Sequence, residues 1–85
     1  MVFNVADIQS IKHAAETVIS QATYQATRFD CLDNPEYLAC EIIALVEWCS
    51  ASINHNGAIA KLVLESYPWP QGVAIEVKAQ FNLPY

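Results

Sequence analysis

The three cysteines are the first candidates for chemistry, because they recur every nine positions, at Cys31, Cys40 and Cys49. Regular thiol spacing can indicate a metal or redox site. In a helix, however, nine residues turn through about 900°, so Cys40 and Cys49 would lie on opposite sides and could not share an ion. No C-x-x-C pair is present. We expect reduced thiols that fill the core, with Cys31, in a loop, as the most reactive.

Acid–base or nucleophilic catalysis finds little support in the residue pattern. Cys49 and His55 are close in sequence, but Cys49 belongs to an apolar helix stripe that would desolvate its thiol, and no third residue is evident to orient the imidazole. Glu41 and Glu47 do not face each other as a carboxylate pair. With two glycines in the chain, a glycine-rich phosphate loop is excluded. The sequence therefore predicts a non-enzyme without a metal or a cofactor.

The apolar content of the chain indicates a partner. Its 85 residues make one domain, 1–85, because two cores would each be too small to fold unaided. Hydrophobic residues make up 54% and charged residues only 15%, against roughly 25% charged in an average domain. A domain this small cannot hide such an excess, so we expect a second chain to cover part of its surface. A homodimer is the predicted form.

The charge of the chain argues against other partners. Nine acids against four scattered bases give a net charge of −5, which repels nucleic acid and anionic lipid. The longest uncharged stretch, 48–60, is too short and too polar to span a bilayer. No secretory signal is recognisable at the N-terminus. We therefore expect a cytoplasmic protein with no nucleic-acid or membrane partner.

Apolar periodicity predicts a long helical hairpin that would position these residues. Apolar residues recur at three- and four-residue steps over 5–28, which is typical of an amphipathic helix. Asp33, Asn34 and Pro35 form a cap and a first helical position, so a second helix is predicted over about 35–54. The short connection between the two helices favours an antiparallel hairpin.

The remainder of the chain is predicted to be shorter elements. The segment from Asn54 to Gly57 collects turn-forming residues, so we expect a turn there and a third short helix over about 58–66. The tail 67–85 begins with prolines that favour extended backbone. Over 72–81, apolar and polar residues alternate as in a strand, although Val73, Val77 and Phe81 are also spaced as in a helix. The predicted fold is mainly α: three helices plus an extended or short β segment, with a fourth helix as the alternative.

The aromatic residues are the predicted binding surface. Aromatic side chains dominate the energetics of protein interfaces, and several lie off the predicted core stripes. Trp48 lies beside the stripe of the second helix, where a ring of that size is hard to bury in a small domain. The candidate interface residues are Tyr37, Trp48, Tyr67, Trp69 and Phe81. For Trp69, covering the end of the helix bundle is an equal alternative.

These observations predict a non-catalytic protein–protein interaction module. We expect a small regulator or inhibitor that occupies a surface of a larger protein complex. The alternative is a small-ligand or sensor domain with a pocket between its helices. In size and composition, the chain resembles the small acidic helical proteins that phages and mobile elements use to inhibit host complexes.

Overall fold

The computed structural model describes residues 5–49 and 53–83, which form four α-helices: α1 (Val5–Arg28), α2 (Pro35–Cys49), α3 (Ile53–Ser66) and α4 (Val73–Gln80). No strand occurs in these two ranges. The predicted mainly α class is therefore confirmed. The predicted β segment near the C-terminus is wrong, and the alternative of a fourth helix is correct.

The first helix has the predicted bounds, and its end is set by a left-handed residue. Asp30 has a φ of 56°, and its amide donates to the Thr27 carbonyl at 3.3 Å. The amide of Cys31 donates to the Ala26 carbonyl at 2.7 Å. These two hydrogen bonds form a Schellman motif, which satisfies carbonyls at the end of α1 and reverses the chain. The reversal leads into α2, which packs against α1 as the predicted hairpin partner.

The second helix starts as predicted but ends earlier. The Asn34 side chain accepts a hydrogen bond from the Tyr37 amide at 3.1 Å, and Pro35 occupies the first helical position, so Asn34 is the N-cap. The described part of α2 ends at Cys49, not near residue 54. A new helix begins at Ile53.

The predicted turn at 54–57 is wrong, because these residues lie in the first turns of α3. The first four amides of a helix have no intrahelical acceptor, so residues that weaken a helix interior are tolerated there. Gly57 lies beside Leu83, since a Cβ on Gly57 would be 3.5 Å from the Leu83 Cδ2 atom. The third helix is therefore 53–66 rather than 58–66. Its predicted end before Pro68 is confirmed.

The fourth helix forms because the four-residue spacing prevails over the alternation. Val73 and Val77 are fully buried, whereas Ile75, which a strand would place on the same face, is 58% exposed. A helix satisfies its own backbone groups, but a lone strand needs a neighbour. After Phe81, Asn82 with a φ of 54° ends the helix in a second Schellman motif.

The core lies where the four helices meet, and alanines make up much of it. Small side chains let helix axes approach closely. Within the described residues, α1 packs on α2 and α3, and α4 packs on α2 and α3 but not on α1. The buried hydrophobic residues are Ile11, Ala15, Val18, Ala22, Ala26, Leu38, Ala39, Ile42, Val46, Ile59, Ala60, Val63, Val73 and Val77.

The two glycines should respond oppositely to substitution by alanine. Gly72, the N-cap of α4, has a φ of 102°, which costs an L-residue about 1–2 kcal/mol. Gly57 has no such φ, and a Cβ there makes only an ordinary contact. We expect Gly72→Ala to lower the melting temperature by several degrees, since about 1 kcal/mol shifts it by roughly 4–8 °C in a domain this small.

Gly57→Ala is the matched control, and it should raise the melting temperature by reducing the entropy of the unfolded chain. Thermal denaturation followed by circular dichroism measures both. Equal destabilisation by the two substitutions would contradict the left-handed cap.

Candidate functional site

A large concave surface of the described structure is a groove between α1 and α3, with a volume of about 920 Å³. We call it the α1–α3 groove. It is open along its length, and apolar area dominates its walls. Its lining residues are Ile8, Ile11, Lys12, Ala15, Glu16, Ile19, Ser20, Ala58, Lys61, Leu62, Glu65 and Ser66.

The groove exists because α1 has apolar residues on the flank of its buried stripe as well as on the stripe itself. Ile11 and Ala15 form the floor and are only 7% and 2% exposed. Ile8 and Ile19 lie on the flank, where Ile8 is 54% exposed and Ile19 is half-buried. A branched aliphatic side chain left half in water gains stability when another apolar surface covers it. The groove is thus an apolar surface without a cover in the described monomer.

The two helices that form the walls of the groove start at the same end of it. Near the start of both helices, the Nε2 atom of His55 lies 3.9 Å from the Oδ1 atom of Asp7. Further along, Ile8 to Ser20 of α1 face Ala58 to Ser66 of α3 across the groove. Residues at equal distances from the Asp7–His55 contact therefore lie at similar heights along the groove.

The charged groups of the groove are confined to its rim. Lys12 and Glu16 are exposed and one turn apart on α1, and Lys61 and Glu65 repeat the arrangement on α3. Such pairs stabilise a helix only weakly. Lys61 and Glu65 also line a smaller cavity of about 200 Å³ beside α4, so they lie on the outer ridge of α3. The groove therefore has an apolar interior and a rim of alternating charge.

The predicted interface residues lie outside this groove. Trp48 is 82% exposed on α2. Tyr37 is half-buried, with its ring 6.4 Å from that of Phe29 in an edge-to-face arrangement. Partial desolvation, with the neighbouring Glu41 carboxylate, raises the pKa of the Tyr37 phenol. Phe81 is half-buried and packs against the core.

Tyr67 and Trp69 cover the end of α3. Their rings are 4.4 Å apart and tilted by 46°, and the indole Nε1 of Trp69 donates to the Val63 carbonyl at 2.9 Å. That carbonyl is among the last four of α3, which have no intrahelical donor. Trp69 therefore acts as a side-chain cap and packs against the core. This is the structural role that the sequence left open for it.

A smaller aromatic surface lies near the C-terminal end of α1. The guanidinium carbon of Arg28 lies 5.9 Å from the ring centre of Tyr24 and 5.5 Å from that of Phe29, within the range of cation–π attraction. Tyr24 and Phe29 are 58% and 59% exposed, and Leu32 nearby is 44% exposed. Neither this surface nor the α1–α3 groove is among the sites predicted from the sequence.

The cysteines differ in environment. Cys40 is exposed, so its predicted role as core filler is wrong. Cys49, on the other side of α2 as predicted, is half-buried, and burial raises the pKa of its thiol. Cys31 is half-buried, and its thiol donates to the Phe29 carbonyl at 3.3 Å. Among residues 5–49 and 53–83, no three His, Cys, Asp or Glu side chains are grouped so that they could hold a metal ion.

The chain matches no protein-family model, no curated protein and no solved structure. Within the described ranges, no helix combines the length and the hydropathy needed to cross a bilayer.

The cysteines should differ in how fast they react with a thiol reagent. Cys40 is exposed and should react first with a thiol reagent near pH 8. Cys49 should react slowly, because burial disfavours the reactive thiolate. Its rate should keep rising at pH values above the ordinary pKa of cysteine. The absorbance of the thiol released from an aromatic disulfide reagent measures the fast and the slow phase of the reaction. Persistence of the fast phase in the Cys40→Ser variant would contradict the assignment.

The two tryptophans should contribute differently to the free energy of unfolding. Trp48→Ala removes a side chain with little contact in the monomer, so stability should change by no more than about 0.5 kcal/mol. Trp69→Phe keeps an aromatic ring but leaves the Val63 carbonyl without its donor, at a cost of about 1 kcal/mol or more. Urea denaturation of the monomeric form measures both. A larger loss for Trp48→Ala than for Trp69→Phe would show that Trp48 belongs to the core.

Proposed function

We propose that this chain is a non-catalytic protein-interaction module, a small regulator or inhibitor, and that its α1–α3 groove is a surface that binds a protein chain. The observation that carries the proposal is the uncovered apolar interior of that groove. Its walls expose Ile8 to solvent although the same helix buries Ile11 and Ala15 completely or nearly so. A protein partner would remove this apolar area from water.

The dimensions of the groove suit a helix. From Ile8 to Ser20, the α1 wall is about 18 Å long at a rise of about 1.5 Å per residue. That length accommodates about three turns of a partner helix. An interface between helices has an apolar centre, which supplies affinity, and a polar rim, which sets orientation. The groove has both, with Lys12, Glu16, Lys61 and Glu65 at the rim.

A small apolar ligand is the second candidate, and the groove volume favours it. About 920 Å³ lies at the upper end of the range of small-molecule sites, which is roughly 300–1,000 Å³. Such sites enclose most of the ligand and direct a few polar groups inward. Here the groove is open, and its charged groups stand on the rim. A protein surface therefore fits better.

Two further properties support an intracellular protein partner. The net charge of −5 opposes binding to nucleic acid. Cys31, Cys40 and Cys49 are free thiols, as is usual in a reducing compartment. We propose the cytoplasm as the location. Trp48, which is 82% exposed, is proposed as a second contact for a large partner, because a tryptophan supplies much apolar area at small entropic cost.

Site-specific photo-crosslinking tests the groove directly. Ile8 in the groove and Ile75 on α4 are a matched pair, because both lie in the first turn of a helix and are 54% and 58% exposed. Each is replaced in turn by p-benzoylphenylalanine, and the protein is irradiated in the cells that make it. We expect crosslinks to polypeptide from position 8 and few from position 75. Mass spectrometry identifies the crosslinked peptides.

Three results would count against docking of a protein in the groove. Absence of polypeptide crosslinks from position 8 would contradict protein docking in the groove. Equal crosslinking from both positions would show that the contact is not specific. A small molecule attached at position 8 would favour the ligand-binding candidate instead.

A further inference from the structure

The charges on the rim of the α1–α3 groove are arranged in two levels. Measured from the Asp7–His55 contact, Lys12 is five residues along α1 and Lys61 is six residues along α3. At a rise of about 1.5 Å per residue, both lysines lie about 8 Å from that contact. Glu16 and Glu65 follow four residues later on their helices, about 6 Å further along. One end of the rim therefore has two lysines and the other has two glutamates.

This arrangement is complementary to itself when reversed. If a second groove lies face to face with the first and runs in the opposite direction, each lysine lies opposite a glutamate. In that arrangement Lys12 faces Glu16 of the second copy, and Lys61 faces its Glu65. If the second groove runs in the same direction, lysine faces lysine and glutamate faces glutamate. Like charges at an interface are unfavourable, so the rim selects the antiparallel orientation.

We infer that the occupant of the α1–α3 groove is a second copy of this chain, packed antiparallel about a two-fold axis. The inference rests on the proposed function, because it names the partner of the same groove. The axis lies in the plane of the interface and crosses the groove between the lysine and glutamate levels. In this isologous contact, α1 packs against α1 of the second copy, and α3 packs against α3 of the second copy. The four helices form a bundle with the groove residues at its core.

The aliphatic residues agree with the same axis. The lysine and glutamate levels on α1 are centred on position 14. Reversal about that point places Ile8 next to Ile19 of the second copy, and Ile19 next to its Ile8. On α3, the centre is position 63, so Leu62 lies beside Leu62 of the second copy. One axis thus pairs the charges of the rim and covers the exposed isoleucine of each groove.

The distribution of net charge also favours self-association at this face. The rim contains two of the four bases and two of the nine acids of the chain. Its formal charge is zero, and the net charge of −5 lies on the rest of the molecule. Two copies can therefore meet at the groove without bringing excess negative charge into the interface.

Charge reversal tests this geometry. The variants are K12E/K61E and E16K/E65K, whose substituted residues are all exposed. Each should fold, as judged by circular dichroism, and each should dimerise roughly tenfold or more weakly than the natural sequence, because its rim carries one sign of charge. Mixed in equal amounts, the two variants should form a heterodimer. Sedimentation velocity at micromolar concentration measures all of these masses.

The variant K12E/E16K/K61E/E65K is the matched control. It keeps the composition and the net charge but exchanges the two levels, so it should dimerise like the natural sequence. Ile8→Glu should abolish dimerisation, whereas Ile75→Glu, outside the groove, should leave it unchanged.

Failure of the second copy as occupant and failure of the proposed function give different results. A natural sequence that is monomeric throughout the micromolar range would overturn the second copy as occupant, and a crosslink from position 8 to a different protein would then leave the proposed function intact. A natural dimer that neither double variant nor Ile8→Glu weakens would place the contact on another face. Double variants that stay monomeric when mixed would overturn the pairing of charges across the rim.

Discussion

The close packing of α1 through small side chains is the constraint on which the rest of the structure depends. Ala15, Ala22 and Ala26 are almost completely buried on this helix, so α2 and α3 can approach it closely. Ile11 and Val18 are buried with these alanines, but the contact does not cover all of the larger apolar residues of α1. Ile8 and Ile19 are left on the wall facing α3. The same packing that holds the monomer together thus creates its uncovered groove.

Much of the fold follows from periodicity and capping residues, and the failures have physical causes. The bounds of α1, the Asn34–Pro35 start of α2 and the stop before Pro68 are strong local signals, and the structure has all three. The signals at 54–57 and at 72–81 are ambiguous. Asn, His and Gly suit a turn, but they are also tolerated in the first turns of a helix. Over 72–81, the alternation favours a strand, whereas the spacing of Val73, Val77 and Phe81 favours a helix, and a strand there would lack a neighbouring strand in the described residues.

The candidate site was less predictable, because it depends on how two distant helices align. The apolar content of the chain indicates that apolar surface remains exposed, but it does not place that surface on α1. It cannot show that α1 and α3 line one groove, with Ile8 and Ile19 on one wall and Ala58 and Leu62 on the other. The choice of aromatic residues fits in part: Trp48 is exposed, whereas Trp69 caps α3 through its hydrogen bond to Val63. An aromatic residue beside a core stripe can contact a partner or cap a helix, and its position in the sequence does not show which role it has.

The central claim is that the α1–α3 groove is covered by a second, antiparallel copy. Isotope-filtered nuclear Overhauser spectroscopy on a mixture of labelled and unlabelled chains tests it most directly. Within one chain, Ile8 and Ile19 are eleven residues apart on one helix, about 16 Å at a rise of about 1.5 Å per residue, which is too far for a direct effect. We expect intermolecular nuclear Overhauser effects between the methyl groups of Ile8 in one copy and those of Ile19 in the other. Intermolecular effects confined to other faces, such as those around Trp48 or Ile75, or none at all, would contradict it.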